Sequence, residues 1–406
     1  MDVNKCKCMS NWQPQLFKND APTGTPVKAA LEVARRIQSV NPNLFPVFSL
    51  GHLAHCADVP YKFLRSIVER NRNVEPYKVF FIEKQGAANI GQIRWISAPH
   101  PLLLQVQRWI NSNILAHLAV HDCAYAYVKN RSVFDAAAIH KGSKWIIKVD
   151  VENFFESILE TKVYQVFRRA GYQPLLCFEL SRLCTRIMNP DRDAKGPDGK
   201  PRVRTKGRHY VINSYASHSL GHLPQGAATS PALANIVAYQ LDDKILELAE
   251  TYDLRYSRYS DDIILSTRSA NFRKSVAYEV VGELYRILRK SGFEPNVKKT
   301  KVNGPGSKRL VLGFLVDSDA PRLTREFKDK LRMHLYFCSK NGPTAHAVER
   351  KFDSVIGLKN HLIGLISYAR TADIAFAEEC MDKLNRCNWP IFTSANTTYL
   401  EYLENI

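Results

Sequence analysis

Arg258-Tyr259-Ser260-Asp261-Asp262-Ile263-Ile264-Leu265-Ser266 is the stretch that decides how the rest of the chain is read. Two adjacent carboxylates sit between an aromatic residue and an apolar run. The run favours burial, and two like charges placed together raise the cost of ionising each other. A divalent cation removes that cost, and hard oxygen ligands suit Mg²⁺. The stretch therefore predicts a metal-holding β-hairpin over residues 255–266, with Asp261 and Asp262 at its turn.

Upstream, Lys144 to Asp150 reads as a short apolar strand that ends in a carboxylate. An Asp at a strand end is ordinarily a cap, and an isolated Asp-Asp is ordinarily a surface turn. Together they gain another meaning, because carboxylates from two neighbouring strands can clamp two metal ions about 4 Å apart, as nucleotidyl transfer requires.

Around these two segments the chain alternates between helical and strand periods. Helices are predicted over residues 26–37, 60–70, 102–118, 160–188, 230–248, 272–290, 324–339 and 343–384. Strands are predicted over 77–84, 91–98 and 309–317, the first two forming a hairpin around Gln85 to Asn89. Strands concentrate in the middle and helices at the ends, which predicts an α+β fold with a helical carboxy-terminal unit. Asn189 to Arg208 reads as a loop with seven basic residues against three acidic ones. It is either a solvated insertion or an arm for nucleic-acid phosphates.

The 406 residues suit two or three subdomains, and 45% hydrophobic residues predict a packed protein. Lys and Arg number 57 against 39 Asp and Glu, a net +18 that favours a polyanionic partner. No uninterrupted apolar run approaches the ~20 residues of a membrane span, so no membrane partner is expected. The amino terminus lacks an apolar signal core. The nine cysteines are scattered and odd in number, and Cys6 and Cys8 lack a second pair at zinc-finger spacing. Reduced thiols in a cytoplasmic protein are expected.

Three motifs carry a family resemblance. Val149-Asp150-Val151-Glu152-Asn153-Phe154-Phe155 is similar to the first catalytic motif of bacterial reverse transcriptases. Leu223-Pro224-Gln225-Gly226-Ala227-Ala228-Thr229-Ser230-Pro231 resembles their Leu-Pro-Gln-Gly motif, and Tyr259 to Asp262 resembles their Tyr-x-Asp-Asp box. The motifs occur in the family's order, and the resemblance runs from about residue 60 to 385. It implies a right-hand polymerase. Residues 1–58 would be a helical extension, 59–145 the fingers, 146–306 the palm with its basic insertion 189–210, and 307–406 the primer grip and helical thumb.

The resemblance also implies roles. Asp150 and Asp261 would bind two Mg²⁺ ions with Asp262 in support. Phe155 would be the steric gate against a 2′-hydroxyl, and Phe154 a core aromatic. Gln225 would contact the incoming nucleotide, and Gly226 would allow close backbone approach. Lys84 and Arg94 would hold the triphosphate. Lys299 would protonate the leaving pyrophosphate, with Lys298 as the competing candidate. Leu310 to Phe314 resembles the primer grip. Arg322, Arg325, Lys328, Lys330 and Arg332 would serve a thumb helix on the template–primer duplex, which is held mainly by shape and phosphates.

Ser97 to Pro101, Gln107 to Ile110 and the Arg131-Ser132 region resemble retron reverse transcriptases and their antiphage-defence relatives. Ala136 stands where retrons carry Asn, and Leu312 where they carry Thr. The expected activity is copying of a structured non-coding RNA into DNA from dNTPs, giving an RNA–DNA duplex; an effector protein and a homo-oligomer are compatible with it. The alternatives are template-independent or protein-primed DNA synthesis, and a non-catalytic RNA-binding scaffold.

Overall fold

The structure, a computed structural model, describes residues 25–70, 74–83, 93–187 and 220–390. The expectations for Lys84, the Gln85 to Asn89 turn, the basic stretch 189–210, Cys6 and Cys8 lie outside the described residues.

Helices Thr25–Val40 (α1), Leu50–Cys56 (α2) and Tyr61–Val68 (α3) come first. Strands Tyr77–Glu83 (β1) and Ile93–Pro99 (β2) pair antiparallel, with Tyr77 opposite Pro99 and Ile82 opposite Arg94. Pro101 then opens helix Pro101–Asn113 (α4), where a missing N–H costs nothing. Ser132 and Asp135 form a reciprocal capping box at the start of Val133–Ile139 (α5).

The centre is a five-stranded antiparallel sheet. Its strands are Trp145–Glu152 (β3), Arg255–Tyr259 (β4), Asp262–Thr267 (β5), Glu294–Pro295 (β6) and Lys301–Asn303 (β7). The order is β4-β5-β3-β6, with β7 also on β3. Helices Glu160–Arg169 (α6), Pro174–Cys184 (α7), Ser230–Val237 (α8), Tyr239–Thr251 (α9) and Lys274–Lys290 (α10) surround it. The single helix expected over 160–188 is two helices. Gln173 precedes Pro174 and is extended, as a residue before proline tends to be.

The carboxy-terminal unit begins with three short strands, Leu310–Val311 (β8), Phe314–Leu315 (β9) and Arg322–Leu323 (β10). Helices Arg325–Asn341 (α11), Pro343–Glu349 (α12), Val355–Arg370 (α13) and Ile374–Arg386 (α14) follow. Strand period alone predicts one strand over 309–317; the structure has a tight hairpin there, in keeping with the glycine hairpin that the primer-grip resemblance of Leu310 to Phe314 implies. Leu312 and Gly313 take φ of 49° and 93° at its turn, the two positive angles that a two-residue connection needs. The Tyr368 hydroxyl of α13 donates to the Leu312 carbonyl at 3.1 Å, so the helical unit pins this hairpin.

Strand alternation divides the interior. Ile147, Val149 and Val151 face a core shared with α1 to α4 and α6 to α10, whereas Ile146 and Ile264 face a second core built by α5, β8 to β10 and α11 to α14. Lys148 and Asp150 share a face with Ile146. The first carboxylate thus emerges on the sheet face that the carboxy-terminal helices cover at one end.

Candidate active site

Asp150 stands near the end of β3, only 8% exposed. Its register partner across the ladder is Asp262, the first residue of β5. Tyr259 pairs with Asp262 on the other side, so Ser260 and Asp261 alone form the turn between β4 and β5. The backbone N–H of Val151 donates to the Asp261 carbonyl at 2.9 Å and extends the ladder into the turn. The sequence thus brings Asp150, Asp261 and Asp262 together by strand register.

Two lysines answer two of the three carboxylates. Lys299 Nζ lies 3.0 Å from Oδ2 and 3.2 Å from Oδ1 of Asp150. Lys148 Nζ lies 2.9 Å from Oδ2 of Asp262. Asp261 carries the remaining strain: burial first, then Asp262 and Asp150, push its carboxyl above the usual range. Among the described residues no group of three His, Cys, Asp or Glu side chains forms a ready metal cage. The donor chemistry still fits a divalent ion. These are hard oxygens, the centre of charge repulsion is Asp261, and an ammonium already stands as the cation on Asp150.

Lys299 reaches its place by local geometry. The Asn296 N–H donates to the Asp150 carbonyl at 2.7 Å, and a 3-10 turn over Val297–Lys299 follows. That turn lays Lys299 on Asp150, and both Lys299 and its neighbour Lys298 are exposed.

Gln225 and Gly226 lie in a loop strapped to β2. The Ser97 N–H donates to the Gln225 carbonyl at 2.7 Å, and the Ala228 N–H donates to Gln107 Oε1 at 3.3 Å. Gly226 has φ +110°, and a Cβ there would meet the Ser97 carbonyl oxygen at 2.9 Å. The close approach expected at Gly226 is therefore made to the β1–β2 hairpin, which carries exposed Arg94. Phe155 follows β3 as a half-buried ring, 5.8 Å from Phe154 and 6.3 Å from Tyr127. Phe154 is buried, as expected of a core aromatic.

Of the five basic residues placed together at the carboxy-terminal unit, four line one groove of about 570 Å³: Arg322, Arg325, Lys328 and Arg332. All four pair locally, Arg322 with Asp317, Lys328 with Asp373, and Arg325 and Arg332 both with Asp329, so part of the charge is neutralised within the protein.

Sequence reading missed Lys148 and Arg258. Lys148 had a signal, since it lies two residues before Asp150 on a strand and so shares its face. Arg258 stands beside the turn, but its partner Asp242 lies on α9. His140 is a further buried polar residue. Its ring nitrogens lie 2.7 Å from the hydroxyls of Ser266 and Ser257, and burial, then Arg255, push its pKa down to about 3.

The family model described as reverse transcriptase (RNA-dependent DNA polymerase) matches residues 82–316, more than half of the chain. Retron Ec73 reverse transcriptase of Escherichia coli is 31% identical over 78% of this chain and 88% of its own length. The chain belongs to the retron-type reverse transcriptases. Retron Ec86 reverse transcriptase of Escherichia coli is 30% identical over 66% of this chain and 73% of its own. Retron Mx162 reverse transcriptase of Myxococcus xanthus is 29% identical over 62% of this chain, which spans about half, 51%, of that relative. As a reverse transcriptase the chain is an RNA-directed DNA polymerase with a mixed fold of helices and antiparallel sheet; enzymes of this family generally use divalent metal ions and bind RNA templates and DNA. Among the described residues no helix is long and apolar enough to cross a membrane.

Proposed function

We propose that this reverse transcriptase copies a structured non-coding RNA into DNA by two-metal nucleotidyl transfer, as part of a cytoplasmic retron or other antiphage defence system. The observation that carries the reading is the meeting of Asp150, Asp261 and Asp262 across one strand register, where burial, Asp262 and Asp150 push the Asp261 carboxyl above its ordinary range. Asp150 and Asp261 would hold two Mg²⁺ ions, and Asp262 would support them. Bound there, the ions lower the pKa of the primer 3′-hydroxyl and stabilise the leaving pyrophosphate.

The protein's own groups do the rest. The primer 3′-hydroxyl loses its proton to solvent, and its oxygen forms a bond to the α-phosphorus of the dNTP as the bridging bond to pyrophosphate breaks. Lys299, which lies on Asp150, would give a proton to the pyrophosphate oxygen. Phe155 would exclude a ribose 2′-hydroxyl. Gln225 would contact the nucleotide, and Lys84 and Arg94 would hold its triphosphate. Residues 59–145 would then act as fingers, 146–306 as palm and 307–406 as primer grip and thumb, after an amino-terminal extension over 1–58.

Sequencing the nucleic acid that co-purifies with the protein tests the proposal. The expected product is one defined RNA joined covalently to DNA complementary to part of it. DNA without an RNA counterpart, or DNA attached to the protein, would refute the RNA-templated reading.

A further inference from the structure

Ser260 has φ 58°, in the left-handed region where the Cβ of an L residue crowds the backbone. The first central position of a two-residue hairpin with this angle usually holds glycine. Ser260 is buried, and it immediately precedes Asp261, so whatever holds its backbone also sets the direction of the Asp261 carboxylate.

What holds it is a guanidinium. Arg258 Nη1 donates to the Ser260 carbonyl at 3.2 Å and to Asn235 Oδ1 at 3.0 Å. Its Nε and Nη2 donate to the two oxygens of Asp242, each at 2.7 Å. Asn235 is fixed in turn by donating to the Ala126 carbonyl at 2.7 Å, and the Tyr256 hydroxyl donates to Asp242 Oδ1 at 2.6 Å. Both members of the ion pair are 0% exposed.

Stability alone is a poor account of this arrangement. Desolvation cancels much of the attraction in a buried pair, and apolar side chains of the same volume often serve as well. Apolar side chains do not donate to a carbonyl, whereas the guanidinium fork supplies donors in fixed directions. Three of them are used on Asp242 and Asn235, and the Ser260 carbonyl is the contact that leads to the turn.

We infer that Arg258, clamped by Asp242 and Asn235, is a positioning residue that locks Ser260 in its left-handed conformation and thereby aims Asp261 at the same site as Asp150. The inference rests on the reading of Asp261 as a catalytic carboxylate.

A double-mutant cycle between Arg258→Lys and Ser260→Gly tests it, with primer extension on an RNA template, Mg²⁺ titration and thermal unfolding measured on all four proteins. Arg258→Lys is expected to lower kcat about tenfold with little change in dNTP KM, and to raise the Mg²⁺ concentration needed for half-maximal rate. In the Ser260→Gly background the same substitution is expected to cost less than about threefold, because glycine holds a positive φ without help. An equal loss in both backgrounds, or a loss that follows the unfolding temperature, would overturn the inference. If Arg258→Lys does not fold, Asn235→Ala, which removes the brace on Nη1 together with the bond to the Ala126 carbonyl and leaves the Arg258–Asp242 pair in place, goes through the same cycle against the same criterion. Asp261→Asn is the control. Full activity in that variant would refute both the catalytic reading and the inference; loss of activity there without coupling in the cycle would refute the inference alone.

Discussion

Lys299 and Asp150 form an ion pair across the sheet edge, with Nζ between the two carboxylate oxygens at 3.0 and 3.2 Å. The lysine side chain is 46% exposed, so the pair contributes at most about 1 kcal/mol to stability. Its consequence is for the proposed site, because the ammonium occupies a carboxylate that the proposal gives to a metal ion. Lys299→Gln is expected to tighten binding of Mn²⁺, measured by titration of the free protein, while slowing nucleotide incorporation about 10²-fold through loss of the proton donor. An unchanged unfolding temperature would accompany both effects. Faster incorporation would show that the lysine only competes with metal.

The contact of Gly226 with Ser97 joins the loop proposed to meet the nucleotide to the β1–β2 hairpin. Gly226→Ala is expected to destabilise the protein by about 1–3 kcal/mol, since φ +110° and a carbonyl at 2.9 Å both oppose a methyl group. Gly282 on α10 is the contrast, because a Cβ there meets nothing within 4 Å. Gly282→Ala is expected to stabilise by up to about 1 kcal/mol. Thermal unfolding of the two variants gives the comparison.

Phe155 is held between Phe154 and Tyr127 but remains half-exposed at the end of β3. As the proposed gate, its ring would fill the space of a ribose 2′-hydroxyl. Phe155→Ala is expected to raise the relative incorporation of ribonucleotides about tenfold or more, a discrimination typical of one apolar contact. Competition between dNTP and rNTP in primer extension measures it.

The carboxy-terminal helices contain a histidine pair, His334 Nδ1 lying 2.9 Å from His346 Nε2. Burial first, then His346 and nearby Lys330, Arg350 and His361, push His334 down from 6.5 to about 4. Burial also lowers His346 and His361, with Arg350 and Lys330 adding to it. Below 6.5 the unfolded chain takes up protons that the folded chain refuses, so stability falls as pH drops from about 6.5 toward about 4. His334→Gln is expected to flatten that slope, read as the unfolding temperature at a series of pH values.

The sequence was a good guide wherever function depends on local period. The alternation of β3 and β5 carries Asp150, Asp261 and Asp262 to one place, and the proline and glycine of the Leu223 to Pro231 stretch mark its turn and helix start. What escaped it depends on contacts between distant segments. Nothing near Asp242 announces that it will clamp Arg258, sixteen residues on. Nothing near Tyr368 announces a bond to Leu312, 56 residues away, that pins the β8–β9 hairpin. Lys148 is the intermediate case: strand period alone places it beside Asp150, and only the register to β5 shows that its partner is Asp262.

The central claim is that the carboxylates at the β3–β5 register are the catalytic centre. Primer extension on an RNA template with Asp261→Asn and Asp150→Asn tests it most directly, with thermal unfolding as the companion readout. Burial and the neighbouring carboxylates disfavour charge on Asp261, so Asp261→Asn is expected to leave the metal-free protein as stable as the parent or more so. DNA synthesis is expected to disappear in both variants. Folded variants that still extend the primer at the parental rate would contradict the account.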